Sequence, residues 1–195
     1  MPRRKVTFSK GERYHIFNRG NNSQQIFIHP EDYSRFLRLI GDLLPSSAVS
    51  LHSYTLLPNH YHLSVSIRDH IDISASMCAM QSIYAKWFNC KYRQHGHVFD
   101  GRFKSPLIET LEYFDYLSRY IHRNPVEAHL ARSPGDWPYS SYNSYVSTGN
   151  GLEVDPSETI SRFRCPDDYK QFVACDWERT PWKLENGIWI VERRG

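Results

Sequence analysis

Two histidines one residue apart, His60 and His62, and a tyrosine followed four positions later by an asparagine, Tyr120 and Asn124, are the side chains best suited to chemistry. The first pair lies in Pro58-Asn59-His60-Tyr61-His62-Leu63, the second in Leu117-Ser118-Arg119-Tyr120-Ile121-His122-Arg123-Asn124-Pro125. Along a strand the side chains alternate, so His60 and His62 take one face while Tyr61 and Leu63 take the other. Two imidazoles placed this way can converge on one divalent cation. On a helix, positions four apart share a face, which sets Tyr120 beside Asn124. A phenol is a weak nucleophile near neutral pH because its pKa is about 10. It becomes competent when a metal polarises the phosphate under attack, and the Asn124 amide oxygen could complete that metal's coordination. Plainer explanations stand beside each pair: two surface histidines, a core tyrosine, and an asparagine that ends its helix ahead of a proline.

A third feature spans residues 86–104. Lys86, Lys91, Arg93, Arg102 and Lys104 are interleaved there with Trp87, Phe88, Tyr92 and Phe103, and Asp100 is the sole acid. Cations neutralise phosphates while aromatic faces stack on bases, the combination used to hold single-stranded nucleic acid. Gly96 and Gly101 would allow close backbone approach. A solvated helix end running into a polar loop is the competing explanation.

These residues need elements to position them. Residues 13–18 read as a short strand closed by a turn at 18–22. From Glu31 to Leu44 the apolar residues recur with helical spacing, and Pro45 follows. Residues 50–57 and 60–67 read as two strands meeting in a tight hairpin at Pro58-Asn59. A long helix is expected over 73–93, with Met77, Met80, Ile83, Tyr84, Trp87 and Phe88 on one side. A strand follows near 103–109, then a helix from Leu111 to His122 or slightly past. The order is βαββαβ, an α+β fold of the ferredoxin-like or RRM-like kind, with an antiparallel sheet, an additional catalytic helix and a C-terminal extension. Residues 1–148 are expected to form the domain. Residues 149–195 form an acidic extension packed on it, with a helical suggestion at 167–175.

Composition narrows the field. With 195 residues, 40% of them apolar, the chain suits one domain with a true core and excludes a disordered chain. No apolar run approaches the ~20 residues needed to span a bilayer. No apolar stretch follows the basic start Met-Pro-Arg-Arg-Lys, and the four cysteines show no CxxC spacing. A reducing cytoplasm is therefore expected. The net charge is +3, but residues 1–104 hold fourteen Lys and Arg against seven Asp and Glu, whereas the remainder holds ten against fourteen. The polyanion-facing surface is thus expected on the first half.

Taken together, these features resemble a known family. Leu57-Pro58-Asn59-His60-Tyr61-His62-Leu63 resembles the HUH signature of single-tyrosine (IS200-like) transposases. The run from Gly96 to Ser105 resembles a loop and fourth strand of their REP-associated branch, and the run from Arg119 to Ala128 that branch's nucleophile helix. Tyr14-His15-Ile16-Phe17-Asn18-Arg19-Gly20 is similar to its first strand, and Trp137 to Tyr142 to the segment after the catalytic helix. The likeness runs in order over about residues 13–145. It implies a metal-dependent endonuclease and strand transferase acting on single-stranded or hairpin DNA. His60, His62 and Asn124 would hold Mg²⁺ or Mn²⁺, and Tyr120 would form a 5′-phosphotyrosine bond. The DNA-binding candidates are Arg19, Lys86, Lys91, Arg93, Arg102 and Lys104. Many insertion-sequence relatives carry Gln where Asn124 stands, and the shorter side chain points to the REP-associated branch. The resemblance implies a bacterial, nucleoid-associated protein and leaves a homodimer and a chain acting alone both open. Two rivals remain: a non-catalytic RRM-like module with Tyr14 and Tyr54 on its sheet, and a two-histidine phosphoesterase, for which no second HxS/T motif is found.

Overall fold

The computed structural model describes residues 7–147, 151–175 and 182–191. The basic Met1–Lys5 and the expected domain boundary at 148–149 lie outside these or at their edge. Three strands form the main sheet among the described residues, in the order β1 (Arg13–Arg19), β3 (His60–Ile67), β2 (Val49–Leu57), all antiparallel. In β3, Tyr61, Leu63, Val65 and Ile67 enter the hydrophobic core, and the alternating His60, His62, Ser64 and Ser66 take the other face. Register sets His62 opposite Phe17 of β1 and Thr55 of β2.

The strand expected near 103–109 is corrected to a segment that joins β1 only through isolated bridges, Phe17 with Lys104 and Tyr14 with Leu107. Phe17 and Lys104 exchange backbone hydrogen bonds of 3.0 and 2.8 Å, and His15 N donates to Pro106 O at 3.0 Å. Pro106 has no N–H to give a ladder, which confines it to an edge. Its place outside β1 still completes the expected split βαβ order.

Helices α1 (Pro30–Leu43) and α2 (Ile73–Tyr92) cover the apolar face. Asp32 starts α1 by accepting from the Ile28 and His29 amides at 2.7 and 2.8 Å, and Asp72 caps α2 by accepting from Ala75 N at 3.0 Å. Phe36, Met77, Met80, Tyr84 and Phe88 fill the space between helices and sheet. Ile83 was expected with them and is exposed instead, because positions 77, 80, 84 and 88 already complete the buried stripe.

The opposite face is closed by α3 (Leu111–Glu127), which lies against β2 and β3. Thr110 caps it by accepting from Tyr113 N at 3.1 Å. This helix runs past its expected end near His122, with Pro125 inside it. Proline there costs a single helical hydrogen bond, the one position 125 would give to Ile121 O, and the turn beyond it still closes through Ala128 N to Asn124 O at 2.9 Å.

Behind α3 sits a second apolar cluster. It is built from α4 (Tyr142–Val146), the segment around α5 (Ser157–Ile160), α6 (Pro166–Ala174, the expected 167–175 helix) and the hairpin of β4 (Trp182–Glu185) with β5 (Ile188–Val191). Polar contacts tie this layer to α3. Asp115 accepts from Arg162 Nε and Nη2 at 2.6 and 2.5 Å and from Trp189 Nε1 at 2.8 Å. His122 lies 2.7 Å from Tyr169 Oη and 2.8 Å from Ser141 Oγ. Arg119 and Arg123 donate to the last carbonyls of α6, at Phe172 (2.6 Å), Val173 (3.0 Å) and Ala174 (2.9 Å). Carbonyls of a last helical turn carry the negative end of the helix dipole, which favours a cation there.

Two outcomes follow for stability. Asp115→Ala leaves the Arg162 guanidinium buried without its partner, and urea denaturation should show a loss of about 3–5 kcal/mol. Burial pushes the His122 pKa down to about 3 from an ordinary 6.5. Between those values the unfolded chain binds the proton that the folded chain refuses, so stability falls as pH drops from 6.5 toward 3, by about 1.4 kcal/mol per pH unit for this group. Urea titrations across that window should give a shallower loss for His122→Gln than for the wild type.

Candidate active site

The site lies where β1, β3 and α3 meet. Its foundation is the hairpin turn Pro58-Asn59, fastened from outside: Pro58 O accepts from the Ile26 and Phe27 amides at 2.7 and 2.9 Å, and Asn59 O from Gly20 N at 2.7 Å. Gly20 is required here, since a Cβ on it would fall 2.0 Å from Gln24 O. The turn delivers His60 and His62 onto the face under α3, with ring centroids 5.2 Å apart. From above, the Tyr120 ring comes to 5.3 Å from His62 and 6.4 Å from His15. Tyr120 is 43% exposed while Phe114, Leu117 and Ile121 of the same helix are buried, so it is not a core residue. Asn124 Nδ2 donates to Tyr120 O at 2.9 Å, which leaves its Oδ1 3.5 Å from His60 Nε2. The four residues singled out in the sequence thus come together within one chain.

Hydrogen-bond partners show where lone pairs point. His60 Nδ1 lies 2.6 Å from Asn59 Oδ1, which can only accept, so the ring proton sits on Nδ1 and Nε2 keeps its lone pair. Nε2 therefore faces Asn124 Oδ1, acceptor against acceptor, an arrangement that a cation between them would relieve. His62 Nε2 is buried with no hydrogen-bond partner. Burial holds the imidazoles uncharged at neutral pH. It pushes His15 down to about 4, and lowers His60 against a smaller opposing effect of the Asn124 amide oxygen, which would accept from the protonated ring. His62 is pushed well below its ordinary value by burial first, then by the neighbouring His15 and His60. Two neutral imidazoles and an amide oxygen suit a divalent cation with positions left open for phosphate oxygens. Among the described residues no group of three or more His, Cys, Asp or Glu could hold a metal.

The basic candidates divide. Arg19 and Lys104 line a cleft of about 400 Å³ together with His60, His62 and Tyr120. Arg19 is paired with Asp100 at 2.8 Å, and the Lys104 ammonium lies 5.8 Å from the Phe17 ring. Lys86 and Arg93 are exposed on α2 and its C-cap, the helix layer on the far side of the sheet. Lys91 is committed to Glu31 and Asp32 at 2.9 and 2.7 Å. Arg102 borders a separate hollow with Phe8 and Asp72. Phe88 and Phe103 are core, and Trp87 and Tyr92 pack against it. The expected interleaved surface over 86–104 is therefore corrected: Phe88 and Phe103 turn inward, Lys86 and Arg93 lie on the helix layer, Arg102 borders a separate hollow, and of these cations Lys104 lines the cleft. A second groove, about 710 Å³, meets the cleft at Phe17, His62 and Tyr120 and runs on past Tyr113 and Tyr116.

Sequence reasoning missed His15, whose Nε2 lies 2.9 Å from His62 Nδ1, and gave Asn59 no role. A histidine alternating with Phe17 on the first strand was the available signal. The β1–β3 register that makes it matter is not written locally.

Fold and site define an α+β protein in which a paired-histidine strand at the centre of a split βαβ sheet faces a tyrosine-bearing helix. Residues 9–124, more than half of the chain, match the sequence model of the family described as Transposase IS200 like, and the chain belongs to that family. Its structure is similar to that of a REP-associated tyrosine transposase bound to a REP hairpin, with a TM-score of 0.61 and 19% identity over 78% of this chain and 88% of that one. A putative transposase from Deinococcus radiodurans R1 aligns at a TM-score of 0.42 and 12% identity, over 63% of this chain and 96% of that one. No curated protein matches the sequence. Among the described residues no helix is long and apolar enough to cross a membrane.

Because Tyr120 is half-exposed, its replacement by Phe should change the unfolding free energy by less than about 0.5 kcal/mol. A larger loss in urea denaturation would return the residue to a structural role.

Proposed function

We propose that this protein is a metal-dependent endonuclease and strand transferase for single-stranded DNA that acts through Tyr120. One observation carries the reading: Tyr120 and the His60 and His62 imidazoles line one cleft with Arg19, Lys104 and Asp100, and the Asn124 amide oxygen lies beside it, 3.5 Å from His60 Nε2. His60, His62 and Asn124 would hold Mg²⁺ or Mn²⁺, which when bound neutralises charge on the scissile phosphate. Tyr120 Oη attacks phosphorus and gives up its proton to solvent. The bond to the 3′ oxygen breaks, that oxygen leaves as a hydroxyl after taking a proton, and the DNA 5′-phosphate remains joined to the tyrosine. Attack by another 3′-hydroxyl reverses these steps and transfers the strand. Arg19 and Lys104 bind flanking phosphates, and Tyr113 and Phe17 offer faces for unpaired bases in the adjoining groove. Lys86, Lys91, Arg93 and Arg102 lie away from the cleft and would act, if at all, on more distant duplex or hairpin phosphates.

The REP hairpin bound by the similar structure makes hairpin-flanked single strands the substrate to try, and favours the REP-associated branch for this chain. A bacterial cytoplasm, at the nucleoid, is the setting that fits this reading. The RRM-like rival is disfavoured by two features. The sheet face that an RRM keeps open is covered by α3, and Tyr14 and Tyr54 are buried.

Hairpin DNA labelled at either end, run on a denaturing gel after incubation with Mn²⁺, should give a free 5′-side fragment and a protein-bound 3′-side fragment. EDTA, His60→Ala, His62→Ala and Tyr120→Phe should each abolish both products. Cutting that survives Tyr120→Phe would support the phosphoesterase rival; binding without cutting by the wild type would support the non-catalytic one. Lys104→Ala should weaken DNA binding several-fold and flatten its salt dependence by about one phosphate contact.

A further inference from the structure

The proton on His62 is set by a neighbour on the adjoining strand, outside the paired-histidine run. His15 Nε2 and His62 Nδ1 lie 2.9 Å apart with ring planes inclined by 24°, so one proton is shared along that line. Two arrangements satisfy the contact. If His15 donated, the His62 proton would sit on Nε2, which is buried and has no acceptor. A buried donor without a partner is among the least tolerated defects in a folded protein. If His62 donates from Nδ1 instead, its Nε2 presents a lone pair beneath Tyr120. Asn59 does the same for His60, accepting from its Nδ1 at 2.6 Å.

We propose that His15 is a positioning residue that fixes His62 as the Nδ1–H tautomer and aims its Nε2 at the position a divalent cation would occupy. The inference rests on the function proposed above for the cation, but the tautomer stands by itself. His15 is itself held firmly: it is 7% exposed, its amide donates to Pro106 O at 3.0 Å, and its ring lies 4.6 Å from that of Phe17. As an uncharged acceptor it orients the imidazole without placing a negative charge beside the phosphate, as a carboxylate in its place would. Ligand histidines whose second nitrogen is held this way lose roughly 10–100-fold in metal affinity when the holder is removed.

Long-range nitrogen–proton correlation spectra of histidine-labelled, metal-free protein at neutral pH test this. The wild type should show a protonated Nδ1 and a bare Nε2 for His62. His15→Phe should lose that single pattern, and His15→Gln, whose amide oxygen can accept the same proton, should keep it. Mn²⁺ binding followed by electron paramagnetic resonance should fall about 10–100-fold in His15→Phe and recover most of that loss in His15→Gln. A protonated Nε2 in the wild type overturns the proposal, and that spectrum needs no variant to fold. Unchanged spectra and Mn²⁺ affinity in a folded His15→Phe overturn it equally. Wild-type protein with the expected tautomer and no Mn²⁺ binding would sink the metal-dependent function while leaving the tautomer assignment in place.

Discussion

A strand turns successive side chains to opposite faces, and β3, central in the sheet, imposes that constraint on the whole site. Its odd positions, Tyr61, Leu63, Val65 and Ile67, are driven into the core under α1 and α2. The even positions are thereby committed to the other side, imidazoles first and hydroxyls after. A slip of one residue against β1 or β2 would push both histidines into the apolar core and expose Tyr61 and Leu63. Pairing on both edges and the fastened Pro58-Asn59 turn leave no room for it. Hydrophobic burial on one face thus provides the orientation that the other face needs.

Helix α3, which carries Tyr120, meets a different constraint. It covers a polar sheet face, its buried apolar cluster is small, Phe114, Leu117 and Ile121 with Ile108, and much of its hold comes from behind. Asp115, Ser118, Arg119 and His122 are buried against the C-terminal layer, in a buried ion pair and a chain of polar contacts. Such groups tolerate little displacement, because each leaves a desolvated partner behind when it moves. The C-terminal residues therefore fix the rotation of α3 that keeps Tyr120 and Asn124 over the histidines. Arg119 and Arg123, either side of Tyr120 in sequence, bind carbonyls of α6.

Much of this was legible in the sequence, for identifiable reasons. Alternation in β3 and four-residue spacing in α3 are local properties, and they show in the sequence which faces His60, His62, Tyr120 and Asn124 share. The fourth strand was misjudged because Pro106 leaves the pattern of a strand and removes its ladder. The helix end was set too early, near His122, because Pro125 follows, and the cost of an internal proline near a last turn is small enough for the helix to reach Glu127. Residues 86–104 looked like a single binding surface because charge and aromaticity alternate there, and only the packed helix shows that Phe88 and Lys86 face different ways. His15 needed the β1–β3 register, and the Asp115–Arg162 pair spans 47 positions. Long-range pairings of this kind are decided by the whole fold.

The central claim is that Tyr120 bonds covalently to DNA at the position the histidines and Asn124 define. Proteolytic mapping by mass spectrometry, after incubation with Mn²⁺ and a hairpin-flanked single strand, tests it most directly. The account predicts one modified peptide, carrying a nucleotide 5′-phosphate on Tyr120. A nucleotide on Tyr113 or Tyr116 of the same helix, or on any other residue, would contradict it.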